Sequence, residues 1–400
     1  MNRLTFPTLN NKNVMLYYFL TIFLNGWFIL PNWVFYFGKF ITIVQIGLID
    51  GISKIVGLVI EVPSGTISDI FGKKITLLIG NIAIIISCLI LISSFNFVHL
   101  LTGSIVMFIG FAFISGAKEA LLYDSLIEIG KENQYDEILG KISSISIATT
   151  IASIFIGGFL YGINPVFPFI AWAIFSLIAV IILIFMKEPQ IEKDKSKTVT
   201  FMTTIKDGVN SIFGAKFRKY LFPVLFLSMF IRSYEGVVRQ NMGAYFGFNG
   251  ETLGYIIAIS FIPALITAYN YKKIKAKIGS CNFEYMLGLI FLTAFSVAFF
   301  ATWYFGAITF ILIYVAQELA RPFILGRINR GVESSHRATA ISTVSLLSDI
   351  PYLILVIGFG SMLGLSNLKY LYVIFLGAVC VYLAHRLFSK IGTVPFRNSP

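Results

Sequence analysis

Apolar runs long enough to cross a hydrocarbon core of about 30 Å recur along the whole 400-residue chain. Few folds tolerate this pattern. Within lipid every backbone N–H and C=O needs a partner inside the protein, which leaves helices or closed barrels. These runs are longer than barrel strands, so the expected class is an all-α membrane protein. Twelve spans are predicted near residues 14–38, 42–64, 75–95, 99–122, 142–162, 166–186, 219–243, 252–271, 283–303, 305–326, 339–362 and 369–389. With 57% hydrophobic and 12% charged residues, the composition excludes an ordinary soluble enzyme.

Basic residues collect in alternate loops: Lys73 and Lys74, Lys131 and Lys141, the central segment, Lys272 to Lys277, Arg327 to Arg337, and both tails. The opposite loops hold only Lys39 and Lys369. The positive-inside rule then predicts an even number of spans with both termini cytoplasmic, and most of the net charge of +12 becomes topological. No basic helix with an aromatic platform accompanies these charges, so nucleic acid is not an expected partner. The first apolar run is too long for a cleavable signal peptide. Richness in Ile, Phe, Lys and Asn points to a bacterial cytoplasmic membrane.

Lys187-Glu188-Pro189 ends the sixth span, and a polar stretch follows. The chain is therefore expected to divide into a six-helix half over 1–186, a cytoplasmic linker over 187–218 and a second six-helix half over 219–400. Within the linker, Phe201, Ile205, Val209, Ile212 and Phe213 recur at helical spacing and suit a surface-lying amphipathic helix. Cys88, Cys281 and Cys380 lack ligand spacing, and His99, His336 and His385 lie apart at span edges, so neither a disulfide framework nor a metal site is expected. With no nucleotide-binding loop and no nucleophile–base pair, no enzyme activity and no cofactor are expected, and energy is expected from ion or substrate gradients.

Between the second and third spans stands Gly65-Thr66-Ile67-Ser68-Asp69-Ile70-Phe71-Gly72-Lys73-Lys74. Two glycines permit a tight turn and close helix approach, Asp69 offers a charged cap or partner, and the lysines fix the membrane edge. This segment resembles the signature loop of the major facilitator superfamily. Glu61-Val62-Pro63-Ser64-Gly65, the run from Ser115 to Leu126, and Asn329-Arg330 with Arg337-Ala338-Thr339 resemble bacterial drug-efflux members, the branch of macrolide-type exporters. The resemblance implies twelve helices around a central cavity open alternately to each side. It also implies that Gly65, Asp69, Gly72, Lys73 and Lys74 form a gating motif, with Asp69 held against the eleventh span. Hydropathy and spacing alone give a carrier or a channel. The glycine pattern of antiporters in the fifth span is half present: Gly140, Gly157 and Gly158 are in register, but Ser153-Ile154 replaces Gly-Pro. A packing face of small residues is the alternative reading.

Ionisable residues within spans mark the mechanism, since each costs on the order of 2.5–3.5 kcal/mol at a helix centre. Asp50, Lys54 and Glu61 share one stripe of the second span, and Asp50 and Lys54 have pairing distance along the helix. Glu61, Lys118, Glu119, Asp124, Arg330 and Arg337 are expected to form a charge network at the cytoplasmic gate. Arg232, Glu235 and Arg239 read as a triad on the seventh span, while Asp349, before Pro351 on the eleventh, has no evident local partner. Proton coupling is therefore expected at Asp349, Asp50 or Glu235. Asn25, Trp27, Asn32 and Trp33, with Lys54, Arg232, Tyr234 and Arg239, are cavity candidates, and Glu318 is expected to pair with Arg321. The 16% aromatic content suits either a greasy cavity or lipid-facing packing surface. A proton-coupled exporter of small hydrophobic or antibiotic-like molecules is the first expectation. A nutrient uptake carrier is the alternative, and a non-transporting sensor a remote one.

Overall fold

The computed structural model describes residues 11–189, 212–332 and 337–391. All regular structure among them is helical. In chain order these are α1 (Lys12–Leu24), α2 (Trp33–Phe37), α3 (Ile43–Phe71), α4 (Lys73–Ile92), α5 (Phe97–Ile127), α6 (Tyr135–Ile163) and α7 (Phe167–Phe185). They continue with α8 (Ala215–Tyr234), α9 (Val237–Tyr245), α10 (Gly250–Tyr269), α11 (Tyr271–Ile278), α12 (Ser280–Phe300), α13 (Gly306–Gly331), α14 (Arg337–Leu353) and α15 (Leu368–Ile391). The expected amphipathic helix of the central segment lies almost wholly outside the described residues.

Nine of the described helices are long and apolar enough to cross a bilayer, and α8 with α9 adds a tenth as a pair bent by 59°. Two shorter apolar helices, Lys12–Leu24 and Thr343–Gly358, occupy the first and eleventh predicted spans. These elements fill the twelve predicted spans of an all-helical membrane protein, and the first, seventh and eleventh of them are interrupted. Each interruption has a local cause. After Leu24 the chain meets Asn25-Gly26 and then Pro31, which lacks an amide hydrogen, and it stays out of regular helix until Trp33. In the seventh, Gly236 adopts φ 66°, a left-handed conformation that ends α8. In the eleventh, Pro351 lies inside α14, and a π-helical turn follows at Ile354–Gly358.

The chain forms two compact units: Met1–Thr198 with Gly250–Tyr255, and Val199–Asn249 with Ile256–Pro400. In the first, the core joins Val14, Tyr17 and Leu20 of α1 to Leu77 of α4, Leu121, Leu122 and Leu126 of α5, Ile138 and Ile142 of α6, and Ala179 and Leu183 of α7. In the second, Phe230 of α8 is an aromatic hub, with ring centroids 4.9 Å from Phe291, 5.3 Å from Phe295 and 5.3 Å from Phe375. Much of the 16% aromatic content is therefore helix-packing material.

Candidate functional site

The interrupted first span is held by α6. Ser146 donates to Asn25 Oδ1 (2.6 Å), the Trp27 amide donates to Ser153 Oγ (3.0 Å), and Asn32 Nδ2 donates to the Gly157 carbonyl (3.1 Å). A Cβ on Gly157 would meet the Phe28 carbonyl, so only glycine lets the two backbones approach this closely. The packing-face reading of the fifth span accounts for this geometry: Ser153 satisfies a backbone amide of the break, and Ser146 and the Gly157 carbonyl satisfy the side chains of Asn25 and Asn32. Asn32 is fully buried in this contact, which corrects its assignment to a cavity wall.

Above the break lies a cavity of about 250 Å³. Its floor is aromatic: Trp27 is 5.4 Å from Phe111 and 6.2 Å from Trp172, and Phe111 is 5.8 Å from Trp172, centroid to centroid. Asn25, Asn81, Ser115, Ser176 and Lys118 add polar groups. Trp172, Phe111 and Asn81 were not among the cavity candidates. A Trp in each of two apolar spans was the available signal, but Trp172 reads as lipid-facing without knowledge of which helix face is inward.

A second cavity of about 160 Å³ is lined by Glu61, Ser64, Gly65, Ser68, Asp69, Lys73 and Thr76, with Ala112, Phe113 and Ser115 to Ala117 of α5. Beside it the loop motif makes a reciprocal clamp. Gly72 has φ 101° and begins α4, whose first two amides, of Lys73 and Lys74, donate to the Glu188 carboxylate at 2.6 and 2.7 Å. A carboxylate at a helix N-terminus satisfies orphan donors and the dipole together. In return Lys74 Nζ donates to the carbonyls of Ile184 (3.0 Å) and Met186 (2.8 Å) at the end of α7. A Cβ at Gly72 would displace the Glu188 carboxylate. Asn13 and Lys187 exchange side-chain and backbone bonds at 3.0 and 2.9 Å, tying α1 to the same corner. Glu188 escaped the sequence reading because it sits 115 residues from Lys73 in the chain.

The six-residue gate network is not assembled as one cluster. Asp69 pairs with Lys73 (2.7 Å) in its own turn. Glu61 lines the smaller cavity and Lys118 the larger, while Ser115 borders both. Neither Glu61, Lys118 nor Glu119 makes an ion pair among the described residues, whereas Asp124 is engaged. Arg330 donates to Gly326 within α13 (2.9 Å), and the Arg337 side chain lies outside the described set. Asp50 and Lys54 are half-buried and both engaged, and neither borders these cavities.

In the second unit Arg232 joins the interrupted seventh and eleventh spans. Its guanidinium is 3.6 Å from Glu235 and 3.7 Å from Asp349, and it donates to Ser345 Oγ (3.0 Å). Asp349 thus has a partner that helix spacing did not reveal, since it comes from a different helix. Its side chain is 6% exposed, against 39% for Arg232 and 31% for Glu235 in their pair. The expected Arg232–Glu235–Arg239 triad is corrected: Gly236 turns the chain by 59°, so the i,i+4 relation from Glu235 to Arg239 fails. Arg239 is instead buried, 3.3 Å from the Tyr314 hydroxyl, and Tyr234 is buried rather than cavity-lining. The hinge is stapled where Tyr352 of α14 accepts the Val237 amide (3.1 Å). Glu318 and Arg321 lie 3.8 Å apart, as their spacing predicts.

Two carboxylates share the Arg232 guanidinium, and the buried Arg239 lies within electrostatic reach of Glu235. Protonation of either carboxyl would leave Arg232 with the other as partner. No group of three or more metal-binding side chains occurs among the described residues.

A family model described as Major Facilitator Superfamily matches residues 14–238, more than half of the chain. A relative from Bacillus subtilis (strain 168), described as the uncharacterized MFS-type transporter YxaM, is 24% identical over 368 residues, covering 86% of this chain and 87% of its own. Among solved structures, the nucleoside transporter NupG superposes with a TM-score of 0.71 at 14% identity, covering 94% of this chain and 97% of that one. A bacterial homologue of the iron transporter ferroportin gives 0.70 at 15% identity, with 96% and 99% covered.

Proposed function

The chain belongs to the Major Facilitator Superfamily and is a multi-pass membrane transporter of small molecules, and from that premise we propose that it is a proton-coupled exporter of small, flat, amphipathic molecules. The observation that carries this reading is that the two units hold different groups. The first holds an aromatic cavity with Trp27, Phe111 and Trp172 around it, and the second holds the Arg232–Glu235–Asp349 cluster at two interrupted spans. The clustered rings of Trp27, Phe111 and Trp172 accept a planar apolar body while Asn25, Ser115 and Lys118 receive its polar edge. At about 250 Å³ the cavity is below the roughly 300–1,000 Å³ of drug-sized sites, so it takes one end of such a molecule.

In this reading a proton binds Asp349 or Glu235, weakens the hold of that carboxyl on Arg232 and favours one arrangement of the interrupted spans. Loss of the proton restores the ion pair and favours the other. The clamp of Glu188, Gly72 and Lys74 keeps the signature loop docked on its own unit while the transporter cycles between the two arrangements. Export, rather than uptake, rests on the resemblance of Glu61–Gly65, the Ser115–Leu126 run and Asn329-Arg330 with Arg337-Ala338-Thr339 to efflux members. The two halves, 1–186 and 219–400, are proposed to be the moving bodies, with both termini on the cytoplasmic face.

The test is transport by purified protein in proteoliposomes under an imposed pH gradient, following a fluorescent amphipathic dye and lumenal pH together. Dye moving opposite to protons, abolished by Asp349→Asn with folding intact, is the expected result. Dye moving with protons, or ignoring the gradient, would overturn export and favour the nutrient carrier.

A further inference from the structure

The outer face of the second unit has a groove of about 540 Å³ unrelated to either cluster above. Its wall is a stripe along α12, Asn282, Tyr285, Met286, Leu289, Ile290 and Thr293, closed by Leu312 and Leu387. Leu289 is 53% exposed, so the groove opens to the surface that meets lipid. From Asn282 to Thr293 the stripe rises about 16 Å at roughly 1.5 Å per residue, close to one leaflet of a hydrocarbon core about 30 Å thick. Its polar members, Asn282 and Tyr285, stand at the α11 end, and the rest is apolar apart from Thr293.

That end is strongly basic. Residues 271–286, 326–331 and 384–387 contain Lys272, Lys273, Lys275, Lys277, Arg327, Arg330 and Arg386 against a single acid, Glu284. Glu284 is buried and already committed: Arg327 donates to it at 2.7 Å and Arg386 pairs with its other oxygen. The Arg327 guanidinium also stacks 4.7 Å from the Tyr220 ring and 5.0 Å from Phe323, and Phe323 packs 5.7 Å from Phe283. Tyr271 and Lys275 bind α11 to the same aromatic group, at 5.4 Å from Phe283 and 5.6 Å from Phe323. This anchoring leaves Lys272, Lys273 and Lys277 exposed beside the start of α12. The result is a rigid, uncompensated positive collar at the mouth of an apolar slot one leaflet deep.

We propose that this groove binds one anionic glycerophospholipid, with an acyl chain along the α12 stripe and the phosphate at the α11 lysines. Both parts of the argument are needed. An apolar slot alone takes any lipid, and exposed lysines alone take any anion, whereas a basic collar in register with a leaflet-length slot selects a molecule with both features. A second copy of this chain is disfavoured as occupant, because it would set one basic collar against another.

The test is native mass spectrometry of the full-length protein in detergent micelles. The protein is titrated with palmitoyl-oleoyl phosphatidylglycerol, with phosphatidylcholine of the same chains, or with glycerol 3-phosphate. One retained phosphatidylglycerol, bound about tenfold more tightly than phosphatidylcholine and not displaced by glycerol 3-phosphate, is the expected result. Lys272→Gln/Lys273→Gln/Lys277→Gln is expected to bring the two lipids within about twofold, and Leu289→Trp, filling the slot, to weaken both by about tenfold. All four positions are exposed, and thermal unfolding checks that each variant folds. Equal binding of the two lipids, an unchanged preference in the triple variant, or chain dimers in place of retained lipid would overturn the proposal.

Discussion

Two glycines illustrate how a residue without a side chain controls what its neighbours do. Gly72, at φ 101° and ψ 161°, occupies an extended positive-φ conformation that is essentially confined to glycine and costs another residue about 1–3 kcal/mol, and any Cβ there strikes the Glu188 carboxylate. Gly72→Ala is therefore expected to lose both strain-free geometry and the cap of α4, lowering stability by about 2–4 kcal/mol. Glu188→Gln keeps the shape but removes the charge, and about 1–2 kcal/mol is expected. Thermal unfolding in one detergent orders the pair, with the glycine variant the less stable. At the proposed site the substitutions separate in kind. Trp172→Ala is expected to raise the KM for dye about tenfold while leaving the proton-to-dye ratio unchanged. Asp349→Asn is expected to abolish the response to a pH gradient.

At the scale of elements, the interrupted spans explain where sequence reading succeeded and failed. Continuous amphipathic or apolar helices such as α4, α5 and α7 follow directly from hydropathy, because lipid leaves their backbones no alternative. The breaks at Asn25–Asn32 and at Gly236 were not legible, since hydropathy averages over a span and ignores a single φ. Their consequences followed: Arg239 was assigned by helical spacing to a partner that the bend carries away, and Asp349 was left without the partner that α8 supplies. Glu188 was missed for a different reason, because a cap across 115 residues leaves no periodic trace. The small and hydroxyl residues of the fifth span were legible as a packing face, and the structure shows what they pack against. Gly157→Ala, whose Cβ would meet the Phe28 carbonyl, is expected to cost about 1–3 kcal/mol. Gly65→Ala, where no atom lies within 4 Å of the added carbon, is expected to change stability by less than about 0.5 kcal/mol. Equal effects at the two positions would refute the close-approach account.

For the molecule as a whole, the fold class and the family were readable from twelve apolar segments and one ten-residue loop, whereas the chemistry of transport lies in contacts between helices distant in sequence. With substrate contact proposed in the first unit and proton binding in the second, the two must be separable by mutation and coupled in the intact protein. The direct measurement is the number of protons moved per dye molecule in proteoliposomes under a pH gradient, compared between the natural chain and Asp349→Asn/Glu235→Gln. In the natural chain the expected result is a fixed ratio, with dye and protons moving in opposite directions. In the double variant dye exchange should persist across a dye gradient with no proton movement. A double variant that still moves protons with dye, or a natural chain whose dye transport carries none, would contradict the proposal.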